Sequence, residues 1–206
     1  MTHISHLYDS DISQISNLLW RLQHGEMPSS LNPSVWWVLI GANDLDVGQC
    51  SEEAVVLGIL RLAEFIAAQR PGAKIVINSL LPDLNTVKPR VKHAHFKAFD
   101  LFPSIRVVNE QLERFCQKHS EFEFFDANPL FFDGVVPLST DKSKKRKSVP
   151  PLKTSLIREN GQLTVAGHKV WGDAIVKEVQ RLMSDDIHDN PYSGSIVDDD
   201  MYNGHD

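Results

Sequence analysis

The residues best placed to do chemistry are Gly41-Ala42-Asn43-Asp44. They follow an unbroken apolar run, Val35-Trp36-Trp37-Val38-Leu39-Ile40, of the kind that forms a strand buried on both faces of a parallel sheet. Gly41 lets the chain turn sharply as it leaves the sheet. Open α/β sheets bind ligands beyond the carboxyl ends of their strands. The side-chain amide of Asn43 is therefore set where it could donate to an oxygen that carries negative charge, with Gly41 and Asp44 beside it as ligand contacts. The plainer alternative is that Asn43 and Asp44 cap the turn after the strand. Asn78 and Ser79 end a second apolar segment, Lys74-Ile75-Val76-Ile77, at the same sheet edge. They too are candidates for binding a ligand, or for capping a strand end.

Other reactive side chains are scattered. His93 and His95 lie in a long polar connection with no Asp or Cys close by, so they read as solvated loop histidines rather than a metal site. His3 and His6 read the same way. Cys50 and Cys116 are too few for a disulfide framework or a zinc site. Lys142-Ser143-Lys144-Lys145-Arg146-Lys147 is either an anion-binding or import patch or, more simply, a solvated charge run.

The elements that must position these residues alternate regularly. Residues 11–25 predict a helix, with Ile12, Ile15, Leu18, Leu19 and Leu22 on one face and Gly25 as its end. A loop over 28–33 leads to the strand at 35–40. Ser51 caps a second helix, with Glu52 and Glu53 on its positive end, and Pro71-Gly72 breaks it. A strand at 74–80, a long connection to about 101, a helix over 103–119 and a strand at 122–125 follow. After a second long connection, Thr164 caps a last helix through Trp171 and Leu182. Alternating buried strands and amphipathic helices predict a three-layer, doubly wound α/β fold with a parallel sheet.

The 206 residues fit one domain with a tail, and an apolar fraction of 42% supplies a core. Of the acids behind the net charge of −6, seven lie beyond Ser184 with no Lys or Arg among them. The body at 1–183 is thus nearly neutral, which argues against general nucleic-acid binding, and 184–206 reads as an acidic disordered tail. No apolar run approaches the roughly 20 residues of a membrane helix. The polar first ten residues show no signal peptide, making the cytoplasm the default location.

Three ordered stretches resemble the SGNH hydrolases, or GDSL esterases and lipases, with the spacing of the platelet-activating-factor acetylhydrolase catalytic subunits. Asn17-Leu18-Leu19-Trp20-Arg21-Leu22-Gln23-His24-Gly25-Glu26 is similar to the family's second block, Gly41-Ala42-Asn43-Asp44 to its third, and Leu163-Thr164-Val165-Ala166-Gly167-His168 to the end of its fifth. The resemblance covers residues 11–183. It implies a flavodoxin-like sheet and cleavage of acyl esters of lipids, sugars or small molecules, with no metal or cofactor. It assigns Asn43 as oxyanion donor, Gln162 to the position of the catalytic His and Glu159 to that of its Asp.

The departures matter as much. The family's Gly-Asp-Ser block is not in the sequence, and Asp9-Ser10 imitates it without a strand in front. The second-block glycine falls near Ile12. Gln162 cannot take up a proton at neutral pH. His168 stands six residues further on, about 600° around a helix, and so points elsewhere. The resemblance therefore implies a catalytically degenerate esterase domain, with a non-catalytic scaffold or a fragment of a longer active esterase as alternatives. It also implies a sheet lacking its first strands, so that strand 35–40 presents a bare edge open to self-association or a partner strand.

Overall fold

The apolar run at Val35 forms the strand its composition requires. In the computed structural model, strands β1 (Ile4–Leu7), β2 (Val35–Val38), β3 (Lys74–Asn78) and β4 (Phe122–Phe125) lie in that order in one sheet, each parallel to the next. The helices are α1 (Ile15–Arg21), α2 (Ala42–Asp46), α3 (Glu52–Gln69), α4 (Phe102–Cys116), α5 (Asn128–Phe131) and α6 (Val165–His188). The structure describes residues 4–7, 14–82, 101–134, 150–158 and 162–188.

Strand alternation divides the core in two. Trp36, Val38, Ile75 and Ile77 face a layer that includes Ile15, Leu18, Ile59, Leu62, Ile66, Ile105 and Leu112 of α1, α3 and α4. Val35, Trp37 and Val76 face Phe131 of α5 and Trp171, Ile175 and Val179 of α6. Helices on both faces of a parallel sheet make the three-layer, doubly wound architecture that the sequence predicts. A helix as short as α1 is marginal by itself, so this packing and not propensity holds it.

The local signals act as expected at several places. Ser51 Oγ accepts from Ala54 N–H at 3.3 Å, capping α3. Thr164 Oγ1 accepts from Gly167 N–H at 3.0 Å at the start of α6. The first helix is shorter than predicted. It gives way to a π-type turn at Leu22–Glu26, where His24 leaves helical geometry and Gly25 takes φ +112°. The last helix is longer, running to His188. Residues 189–206, and with them most of the acidic tail, lie outside the described residues, as do Asp9-Ser10, His93, His95 and the Lys142–Lys147 run.

One expectation is corrected. The edge of β2 is not bare: Ile4–Leu7 pairs with it in register, Ile4 opposite Val35 and Leu7 opposite Val38. A strand does therefore precede Asp9-Ser10. It escaped the sequence because Ile-Ser-His-Leu is only four residues long, with two polar members, too short for periodicity to speak.

The amino ends of the strands are tied down by Arg70, just past α3. Its guanidinium donates to the carbonyls of Leu31 (2.8 Å), Met27 (3.0 Å) and Pro28 (2.7 Å), fixing the loop that feeds β2. Lys74 N–H donates to Ser34 O nearby, joining the starts of β2 and β3. Among the described residues no helix is long and apolar enough to cross a membrane.

Candidate functional site

At the carboxyl end of β2 the chain turns at once into α2. Gly41 makes this possible twice over. Its φ of +117° lies where a side chain would be strained, and a Cβ there would stand 2.9 Å from Val55 Cγ1 and 3.0 Å from Ile59 Cδ1 of α3. Asn43 follows, half-buried. Its carbonyl accepts from Val47 and Gly48 N–H at 2.9 Å each, so its backbone is fixed. Among the described residues its side-chain amide has no hydrogen-bond partner and is available as a donor.

Asp44 is used differently from the expected ligand contact. It is 7% exposed, and both its carboxylate oxygens accept from Ile15 N–H at 3.2 Å, at the start of α1. Burial pushes its pKa above the ordinary carboxylate value, and the Ile15 and Asp44 backbone N–H groups pull partly back.

Asn78 and Ser79 are engaged within the fold, the second of the two roles open to them. Asn78 is 1% exposed; its Oδ1 accepts from the indole N–H of Trp37 (3.0 Å) and of Trp171 (3.2 Å), and its Nδ2 donates to Ser79 O (2.7 Å). Ser79 Oγ accepts from Ala127 N–H (3.0 Å) and Asn128 Nδ2 (3.1 Å). Buried polar groups must be paired, and the two tryptophans and the β4 exit claim these side chains before any ligand could.

Two residues that no sequence pattern singles out belong to the same edge. Asn109 of α4 clasps the backbone of Leu80, accepting its N–H at 2.7 Å and donating to its carbonyl at 3.0 Å, as a neighbouring strand would. Asn128 donates to Asp126 Oδ1 at 2.8 Å, while its own Oδ1 is buried without a hydrogen-bond partner. An Asn midway along an amphipathic helix, or three residues past a strand, carries no spacing signal that would have found either.

The Trp171–Asn78 bond sets the start of α6 at the carboxyl end of β3. The segment before α6 therefore lies at the same end of the sheet as Asn43. It is a small hairpin, with Ile157 and Leu163 bridged antiparallel and Arg158 N–H donating to Gln162 O at 2.7 Å. It is pressed on α6 so tightly that a Cβ on Gly167 would come 2.1 Å from Leu156 O. Gln162 is exposed beside the helix start, and Glu159 lies outside the described residues. His168 is exposed on the first turn of α6. Among the described residues no serine is hydrogen-bonded to a histidine, and no group of His, Cys, Asp and Glu could hold a metal ion.

Known proteins resemble this arrangement in sequence and in fold. The chain is 30% identical over 122 residues to the human platelet-activating factor acetylhydrolase IB subunit alpha1, covering 58% of this chain and 46% of that one. It is 29% identical over 99 residues to the chicken alpha2 subunit, covering 45% and 42%. Thus it spans less than half the length of these curated relatives. Its fold matches a GDSL-like lipase of Bacteroides thetaiotaomicron with TM-score 0.62 at 16% identity, over 82% of this chain and 72% of the other. A Bacteroides fragilis protein described as an acylhydrolase matches with TM-score 0.60 at 16% identity, over 82% and 71%. No family model matches the sequence.

The chain is related to the SGNH/GDSL hydrolases.

Within the SGNH pattern, the third block is the one whose geometry can be read whole. Its glycine packs against α3, its Asn presents an amide with no hydrogen-bond partner among the described residues, and its Asp anchors α1. The segment entering α6 is held by Thr164 as cap and by Gly167 against Leu156.

Proposed function

We propose that this chain is an SGNH-type esterase domain, residues 1–183 with an acidic extension, whose site keeps an oxygen-binding amide but no longer hydrolyses its ester. The observation that carries this reading is the Asn43 amide, set by its fixed backbone at the carboxyl end of β2 and without a hydrogen-bond partner among the described residues. In acyl transfer a serine Oγ attacks the carbonyl carbon, a histidine removes the Oγ proton, and fixed N–H donors hold the charge that develops on the carbonyl oxygen. Asn43 Nδ2–H suits the last task. Gln162 cannot perform the second, because an amide has no lone pair basic enough to accept a proton near pH 7. What remains chemically is recognition of a carbonyl or carboxylate oxygen. The relatives are named acetylhydrolases, which makes acetyl esters of lipids, sugars or small alcohols the first ligand class to try. None of this chemistry calls for a cofactor.

The test is hydrolysis of p-nitrophenyl acetate by the full chain and by Asn43→Ala. The expected result is no turnover above buffer for either. A wild-type rate that falls about 10²-fold or more in the variant, the usual effect of losing an oxyanion donor, overturns the degenerate reading and establishes an active esterase.

A further inference from the structure

Asn43 rides on a five-residue helix, a single turn that has no stability of its own. Its direction must therefore be imposed by what surrounds α2. Three tethers do so. Gly41 is seated against Val55 and Ile59. The far end is closed by the bonds from Val47 and Gly48 N–H to Asn43 O and from Cys50 N–H to Asp44 O, each 2.9 Å. The third tether is lateral: the carboxylate of Asp44 reaches Ile15 N–H, 29 residues away in sequence, with both oxygens.

This contact is more than a helix cap. Caps are normally supplied by the residue just before the helix, yet Gln14, which holds that position, makes no side-chain cap bond. Its side chain instead packs under α2: a Cβ on Gly48 would meet Gln14 Nε2 at 2.9 Å and Asp44 O at 2.8 Å. Ile15 in turn fills the space over Gly58 of α3, within 3.1 Å of where a Cβ would stand. α1, α2 and α3 thus meet at one junction, and Asp44 is its polar link.

We infer that Asp44 is the positioning residue of the Asn43 site, setting the direction of the Asn43 amide by locking α2 to the start of α1. The functional importance of that direction rests on the proposed role of Asn43 as an oxygen-binding donor. The lock itself is a property of the free protein.

The experiment follows the Asn43 side-chain amide resonances by NMR in wild type, Asp44→Ala and Asp44→Asn, with sodium acetate as the oxygen-bearing probe. Asp44→Ser, small but too short to bridge, serves if the alanine variant does not fold. Loss of the lock should displace and broaden the Asn43 pair, and weaken its response to acetate about fivefold, the scale of one hydrogen bond. Asp44→Asn, which keeps an acceptor, should restore both. The indole N–H signals of Trp37 and Trp171 should stay in place throughout, excluding a general loosening. An Asn43 pair unmoved in folded Asp44→Ala or Asp44→Ser overturns the inference and leaves Asp44 as a cap of α1 alone. A wild-type pair that moves on loss of Asp44 but ignores acetate upholds the lock and counts against the oxygen-binding reading.

Discussion

The indole of Trp171, in the second turn of α6, donates to Asn78 Oδ1 at 3.2 Å, on the same oxygen that takes the indole N–H of Trp37 at 3.0 Å. One amide oxygen at the end of β3 thus joins the sheet to its last helix. Removing it would take this acceptor from two buried N–H donors, at about 1–3 kcal/mol each. Asn78→Ala should destabilise the protein by about 2–5 kcal/mol, measured by urea unfolding with tryptophan fluorescence. A loss below about 1 kcal/mol would show that the indoles find other acceptors.

Gly41 carries two constraints that alanine cannot meet. Its φ of +117° strains any Cβ, and that Cβ would collide with Val55 and Ile59. Strain of this type and overpacking each cost about 1–3 kcal/mol. Gly41→Ala should lower stability by about 2–5 kcal/mol, whereas Gly72→Ala, with φ +85° but nothing within 4 Å of a Cβ, should lose less. Thermal unfolding of the two variants side by side checks the order.

Asp44 should leave a mark on the pH dependence of stability. Its folded pKa is raised above the ordinary carboxylate value, chiefly by burial. The native state therefore holds its proton more firmly than the unfolded chain, and stability from this group is present in full below the unfolded pKa and lost as pH rises through the folded one. Asp44→Asn should flatten the unfolding free energy over that acid range compared with wild type. Identical profiles for the two proteins would contradict a raised pKa.

The two thiols should differ sharply. Burial, helped by the charge of Glu123, pushes Cys116 up to about 12, while Cys50 is exposed. Thiolate is the reactive form. At pH 8 a disulfide reagent should modify one thiol quickly in the native protein and the second only on unfolding. Cys50→Ser should abolish the fast phase, and a fast phase that survives would place the reactive thiol elsewhere.

The long apolar runs announced themselves. Val35 to Val38 and Ile75 to Ile77 are buried on both faces of the sheet, as such runs are in a central strand. Ser51 and Thr164 likewise cap the helices that follow them, because their short hydroxyl side chains reach the free N–H groups of a first turn. What the sequence hid was long-range. The Asp44–Ile15 contact spans 29 residues and Trp171–Asn78 spans 93, and no local spacing encodes either. For the same reason Asn78, Ser79 and Asp44 looked like ligand contacts: polar residues at strand ends serve ligands or the fold, and only the partner tells which. Asn43 stands apart because none of the described residues claims its amide.

The guanidinium of Arg70, gripping three carbonyls of the loop before β2, has a consequence for how such a chain can change. It welds shut the pole of the molecule opposite Asn43. Connections at the far pole can then be lengthened, exchanged or stripped of reactive groups without unravelling the sheet, since their loss never reaches that weld. A scaffold fastened at one pole is free to experiment at the other.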